Sequence, residues 1–152
     1  MDIQIIPSLI LTAAGILLTY WHNRHARRLA NEQMMKQLFT DFNERYGRLN
    51  DFLIEIQSNC PTLEELKLHK NGVDLKKKVL DYFNLCAEEY YWYKKGRIDE
   101  TIWNSWQSGM NYWYRNVPAI HSLWDDEMKA NGPQSYYIED KNAFFKEPNN
   151  QA

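Results

Sequence analysis

Glu88 and Glu89 open the stretch EEYYWYKKGRIDETIWNSWQSGM, residues 88–110, in which two adjacent carboxylates meet a run of aromatic rings. Carboxylates in such company can accept hydrogen bonds from Tyr hydroxyls and Trp N–H groups. They can also close one end of a pocket for a cationic or hydrogen-bonding ligand, with indole rings as its walls. Glu88, Glu89, Trp103 and Trp106 are therefore the candidate ligand-binding set. The folding alternative comes first, because aromatic stripes at helical spacing are what a helical core requires. Glu89 falls on the side of Tyr82, Cys86 and Tyr93, at the edge of that expected core.

Other reactive side chains form no recognisable constellation. His22 and His25 stand three apart without a carboxylate or Cys nearby, which does not make a metal site. His69 lies in a turn. His121 with Asp125 reads as a surface i,i+4 pair, and Asp125, Asp126 and Glu127 as a solvated acidic face. Cys60 and Cys86 are isolated and read as reduced thiols. GxSxG, HExxH, Walker A, GxGxxG and EF-hand patterns are absent. No catalytic, metal-binding or cofactor-binding residue is assigned, and no cofactor is expected. A hydrolase or nuclease built from scattered carboxylates ranks last.

With 18 Lys and Arg against 20 Asp and Glu, the net charge of −2 gives no attraction to nucleic acid. Lys76, Lys77 and Lys78 are too few for a nucleic-acid site, although they could meet anionic lipid.

The elements that would position these groups begin with residues 5–21, IIPSLILTAAGILLTYW, which hold no ionisable side chain. As a helix this run rises about 25 Å, against a hydrocarbon core of about 30 Å. It reads as a transmembrane anchor over residues 1–22. Tyr20 and Trp21 would lie in the aromatic belt, with Arg24, Arg27 and Arg28 at the membrane interface. Those arginines follow the run, so the positive-inside rule places the N-terminus outside and the remainder in the cytoplasm. A cleaved signal peptide would carry its positive charge before the run. Ser8, Thr12, Gly15 and Thr19 share one helix face and would let two anchors approach closely.

Residues 23–58 read as a juxtamembrane stalk helix, with the arginine cluster as the place where a break would fall. Met35, Phe39, Phe42, Tyr46, Leu49, Leu53 and Ile56 alternate steps of four and three, widened by Leu38 and Phe52. This broad aromatic seam suits packing within the chain; a parallel homodimer through the stalk or anchor is the alternative. Pro61 ends the stalk. Thr62 and Glu65 have capping-box spacing for a short helix through Leu68. Asp74 is the expected N-cap of a helix over 75–95 with Gly96 at C′. That helix would bury Leu75, Val79, Tyr82, Phe83, Cys86, Tyr90 and Tyr93. Asp99 caps a helix running to about Val117, in which Gly109 would allow close helix approach. Another follows over 119–129. Tyr136, Tyr137, Ile138, Phe144 and Phe145 are offered for docking before the chain frays at Pro148.

The fold class is all-α: an N-terminal transmembrane helix continues into a long stalk helix that packs in a small aromatic-rich helical bundle. The bundle domain covers residues 59–147 and packs with the stalk, and 148–152 form a flexible tail. Asp81 to Met110 resembles a pattern in a family of small bacterial single-pass membrane proteins with a helical cytoplasmic domain. The resemblance rests on Asn84-Leu85, Glu88-Glu89-Tyr90, Gly96 to Asp99, and Trp103 with Trp106. It implies a bacterial inner-membrane location and no catalytic residue. The expected role is that of a cytoplasm-facing interaction or regulatory module, with the bilayer and an unidentified protein as partners. The alternative is a small-molecule sensor, or a stress or phage-defence effector, with its pocket near Glu88, Glu89, Trp103 and Trp106.

Overall fold

The computed structural model describes residues 5–146, with side chains from Leu11 onward. Among the described residues every regular element is helical. These are α1 (Ile5–Asn59), α2 (Leu63–Leu68), α3 (Gly72–Lys94), α4 (Glu100–Asn116), α5 (Pro118–Ala130) and a 3₁₀ turn (Pro133–Tyr136). The chain divides into two compact units, Met1–Leu38 and Phe39–Ala152.

The first unit is the early part of α1, which runs without a break through the arginine cluster. Thr19 donates to the Gly15 carbonyl at 2.8 Å, so its hydroxyl is satisfied within the helix. Trp21 packs on His25 with ring centroids 4.2 Å apart, and Arg28 pairs with Glu32 at 3.3 Å. Leu11, Ile16, Leu17, Leu18, Tyr20 and Trp21 are all exposed. Among the described residues, no helix is long and apolar enough to cross a membrane. Residues 1–4, the side chains of 5–10 (Ser8 with them), and the tail from residue 147 on lie outside the described residues.

The second unit is built around α3. The end of α1 supplies Phe42, Leu49, Leu53 and Ile56, all buried within the chain, whereas Phe39 stays exposed. The α2 capping box forms as its spacing requires: Thr62 Oγ1 accepts from Glu65 N at 3.3 Å, and Glu65 Oε2 accepts from Thr62 N at 3.0 Å. Helix α3 begins earlier than the Asp74 cap implied. Gly72 N bonds the His69 carbonyl at 2.8 Å, and Gly72 lies against the Leu66 carbonyl, where a Cβ would overlap the oxygen. A glycine is needed for that approach. Asp74 falls instead in the first turn, paired with Lys77 at 3.5 Å.

Helix α3 ends in a Schellman motif. Gly96 has φ of 65°, its N–H reaches the Tyr93 carbonyl at 2.8 Å, and Arg97 N–H reaches Trp92 at 3.0 Å. Asp99 Oδ1 accepts from Thr101 N at 2.8 Å and starts α4. Val117 links α4 directly to α5, whose Pro118 occupies the first turn. Ala119 N–H donates to the Pro61 carbonyl at 2.7 Å, which ties α5 to the α1–α2 connection.

The segment after α5 folds back over the core. Tyr136, Ile138, Phe144 and Phe145 are buried, while Tyr137 is exposed at φ of 57°. Trp124 meets Tyr136, Phe144 and Phe145 at centroid distances of 5.0, 5.1 and 5.1 Å. Polar bonds fix this wrap: Trp124 Nε1 donates to the Lys141 carbonyl at 3.1 Å, and Gln107 Nε2 to the Phe144 carbonyl at 3.1 Å.

Two glycines separate local from tertiary constraint. No atom lies within 4 Å of a Cβ placed at Gly47. Gly47→Ala is expected to stabilise the second unit by about 1 kcal/mol through helix propensity. Gly72→Ala is expected to destabilise it by about 1–3 kcal/mol, because the Leu66 carbonyl must move. Urea unfolding of both variants checks the opposite signs.

Candidate functional site

The second unit holds a cavity of about 150 Å³ where three helices meet. Asn43 and Tyr46 reach it from α1, Tyr82 and Glu89 from α3, and Ser105, Trp106, Gly109 and Met110 from α4. Long aromatic side chains span the gap here: Phe42 meets Trp106 edge-on at 5.7 Å, and Trp113 Nε1 donates to the Tyr46 hydroxyl at 3.0 Å. Gly109 supplies no side chain, and no atom lies within 4 Å of its Cβ position. It does not bring helices together; it leaves the space between them open.

The sequence-derived set is divided by the structure. Glu89 and Trp106 share the cavity wall. Glu88 turns to Arg45, whose two terminal nitrogens meet its two oxygens at 2.7 and 2.9 Å. Such a fork is geometrically specific, but the pair is partly exposed and its energetic contribution is modest. Trp103 is buried away from the cavity, stacked on Tyr93 at 4.8 Å. Tyr46, Asn43, Ser105 and Gly109 complete the site without having been singled out for it. The seam position of Tyr46 carried a signal, since a hydroxyl on an apolar stripe needs a partner.

Glu89 is the chemical centre. It is 6% exposed and is the sole buried charged residue among those described. It makes no hydrogen bond or ion pair among the described residues. Burial pushes its carboxyl from 4.5 up to about 8; Arg45 pulls it part of the way back, and Glu88 pushes it up. The Tyr82 hydroxyl, with only the Cys86 thiol at hand, has no nitrogen or oxygen partner among the described residues. Burial holds both Tyr82 and Cys86 protonated well above their ordinary ranges. A thiol so placed is no nucleophile at neutral pH. Among the described residues no group of three or more His, Cys, Asp or Glu side chains is placed to hold a metal ion.

The membrane-interface candidates are placed together on α1. Trp21, Arg24, Arg27 and Arg28 line one shallow surface with His25 and Asn31, and Tyr20 is exposed beside it. No protein-family model, curated protein or solved structure matches this chain.

Glu89 couples the fold to pH with a definite sign. Its folded pKa is raised, so its stabilising contribution is complete below about pH 4.5 and is lost as pH rises through about 8. Within that window it removes up to about 1.4 kcal/mol of stability per pH unit. Glu89→Gln cannot ionise. Its stability relative to wild type is expected to climb at about that slope and level off above pH 8. Chemical denaturation of the full chain across this range checks it; parallel curves would show that Glu89 is solvated.

Proposed function

We propose that this chain is a membrane-associated helical regulatory module whose second unit takes up a small molecule in the Glu89 cavity. One observation carries the reading. The fold buries Glu89 beside an open cavity and gives its carboxyl no hydrogen-bonding or ion-pair partner among the described residues. A cavity of this size and aromatic character is suited to one small ligand.

Membrane association draws support from the first unit. Leu11, Ile16, Leu17, Leu18, Tyr20 and Trp21 leave their apolar surface uncovered, immediately before Arg24, Arg27 and Arg28. This order supports an N-terminus outside and a cytoplasmic helical domain. The resemblance carried by residues 81–110 favours the bacterial inner membrane. Output would pass to a protein partner, or to a second copy through the anchor or the exposed seam residues Met35 and Phe39.

Two measurements on the full chain test the proposal. A C-terminally tagged chain is expected to resist carbonate extraction, with its tag protected from protease in intact spheroplasts. Release by carbonate, or digestion of the tag, would overturn the location. Purified protein is expected to melt higher in a low-mass filtrate of bacterial lysate, whereas Gly109→Leu, which fills the cavity, should show no rise. Equal behaviour of the two proteins would overturn the ligand reading.

A further inference from the structure

We infer that the ligand of the Glu89 cavity is a small organic cation with a primary ammonium group, an inference that rests on the cavity being a ligand site. The walls set the class. Rings of Tyr46, Tyr82 and Trp106 line the space, and aromatic faces attract a desolvated cation. No Lys, Arg or His lines it. Arg45, the cation that acts on Glu89, is occupied by Glu88 at 2.7 Å and Asp41 at 3.5 Å. An anionic ligand would therefore find no cationic side chain in the cavity wall to pair with.

The polar residues narrow the class further. An ammonium group donates three hydrogen bonds, and three of the lining residues carry side-chain acceptors: Glu89, Ser105 and Asn43. Asn43 commits its Nδ2 to the Phe39 carbonyl at 2.7 Å, which leaves its oxygen as the acceptor. A quaternary ammonium could use the rings but none of these. About 150 Å³ is the scale of a cavity that holds benzene, so the ligand has roughly five or six heavy atoms.

Binding exchanges one cation for another. Glu89 is held largely protonated at neutral pH, so the incoming ammonium forms an ion pair with the carboxylate and the carboxyl proton leaves to solvent. The groups facing Glu89 are Arg45 and Tyr46 from α1 and Tyr82, Cys86 and Glu88 from α3. From α4 the wall is Ser105, Trp106, Gly109 and Met110, none of which titrates. Tyr82 and Cys86 stay neutral throughout. Affinity is thus expected to rise nearly tenfold per pH unit well below about pH 8, about fiftyfold between pH 6 and 8, and to level off above.

The test is an NMR titration of the full chain in non-ionic micelles with n-butylammonium, 1-butanol and butanoate. The Trp106 indole signal, assigned by its loss in Trp106→Phe, is followed between about pH 6 and 9. Butylammonium is expected to move it with the stated pH dependence, and Glu89→Gln to abolish the movement. Should Glu89→Gln fail to fold, Gly109→Leu blocks the cavity without touching the carboxylate and must abolish the movement too. Movement that survives Gly109→Leu would overturn the inference, because binding would lie elsewhere. Equal, pH-independent movement by 1-butanol would overturn the cation and leave the cavity a ligand site. No movement with any probe would overturn the inference. If the low-mass filtrate also failed to stabilise the protein, the ligand reading would fall as well.

Discussion

Helix α3 buries residues on most of its circumference, from Gly72 and Leu75 through Phe83, Leu85, Cys86 and Ala87 to Glu89. A helix that is apolar on so many sides must be covered from several directions at once. The cover comes from residues 39–59 of α1, from α2, α4 and α5, and from the segment through Phe145 that closes over Phe83 and Trp124. Helices as short as α2 and α5 gain little from propensity alone. Backbone ties such as Ala119 to Pro61, and large aromatic rings, hold them in place. The wealth of Trp, Tyr and Phe is thus first a solution to covering α3.

That covering also creates the site. Glu89 lies on the α3 face that meets α1 and α4, where the bulk of Phe42 and Trp106 and the missing side chain of Gly109 leave space. Arg45 could have neutralised it but grips Glu88 with both terminal nitrogens instead. A lone buried carboxylate is costly unless it takes a proton or a cationic partner. In the unliganded protein the proton supplies the compensation. On the proposed reading, exchange of that proton for a cationic ligand is the event coupled to the regulatory output.

Much of the helical layout was legible in the sequence because its signals are local. The Thr62–Glu65 box, the Gly96 terminus and the Asp99 cap each depend on residues within a few positions. The start of α3 was misread because it depends on Gly72 meeting the Leu66 carbonyl, a tertiary contact. Glu89 was legible as an edge residue of the core from its spacing to Tyr82 and Cys86. Its separation from Glu88 was not, since that depends on Arg45, 43 positions away. Trp103 and Trp106 lie about 60° apart on the helix, too close for spacing to tell the core ring from the cavity ring. The anchor reading drew on a run that starts at residue 5, and only its later part falls among residues with described side chains.

The most direct measurement of this account is a carbon-13 titration of the Glu89 side-chain carboxyl in the full chain, assigned by loss of the signal in Glu89→Gln. A midpoint near pH 8 is the predicted result and would establish an unpaired, buried carboxyl held mainly as the acid at neutral pH. A midpoint close to 4.5 would contradict it, placing Glu89 in contact with water or a cationic side chain and removing the basis for a ligand site.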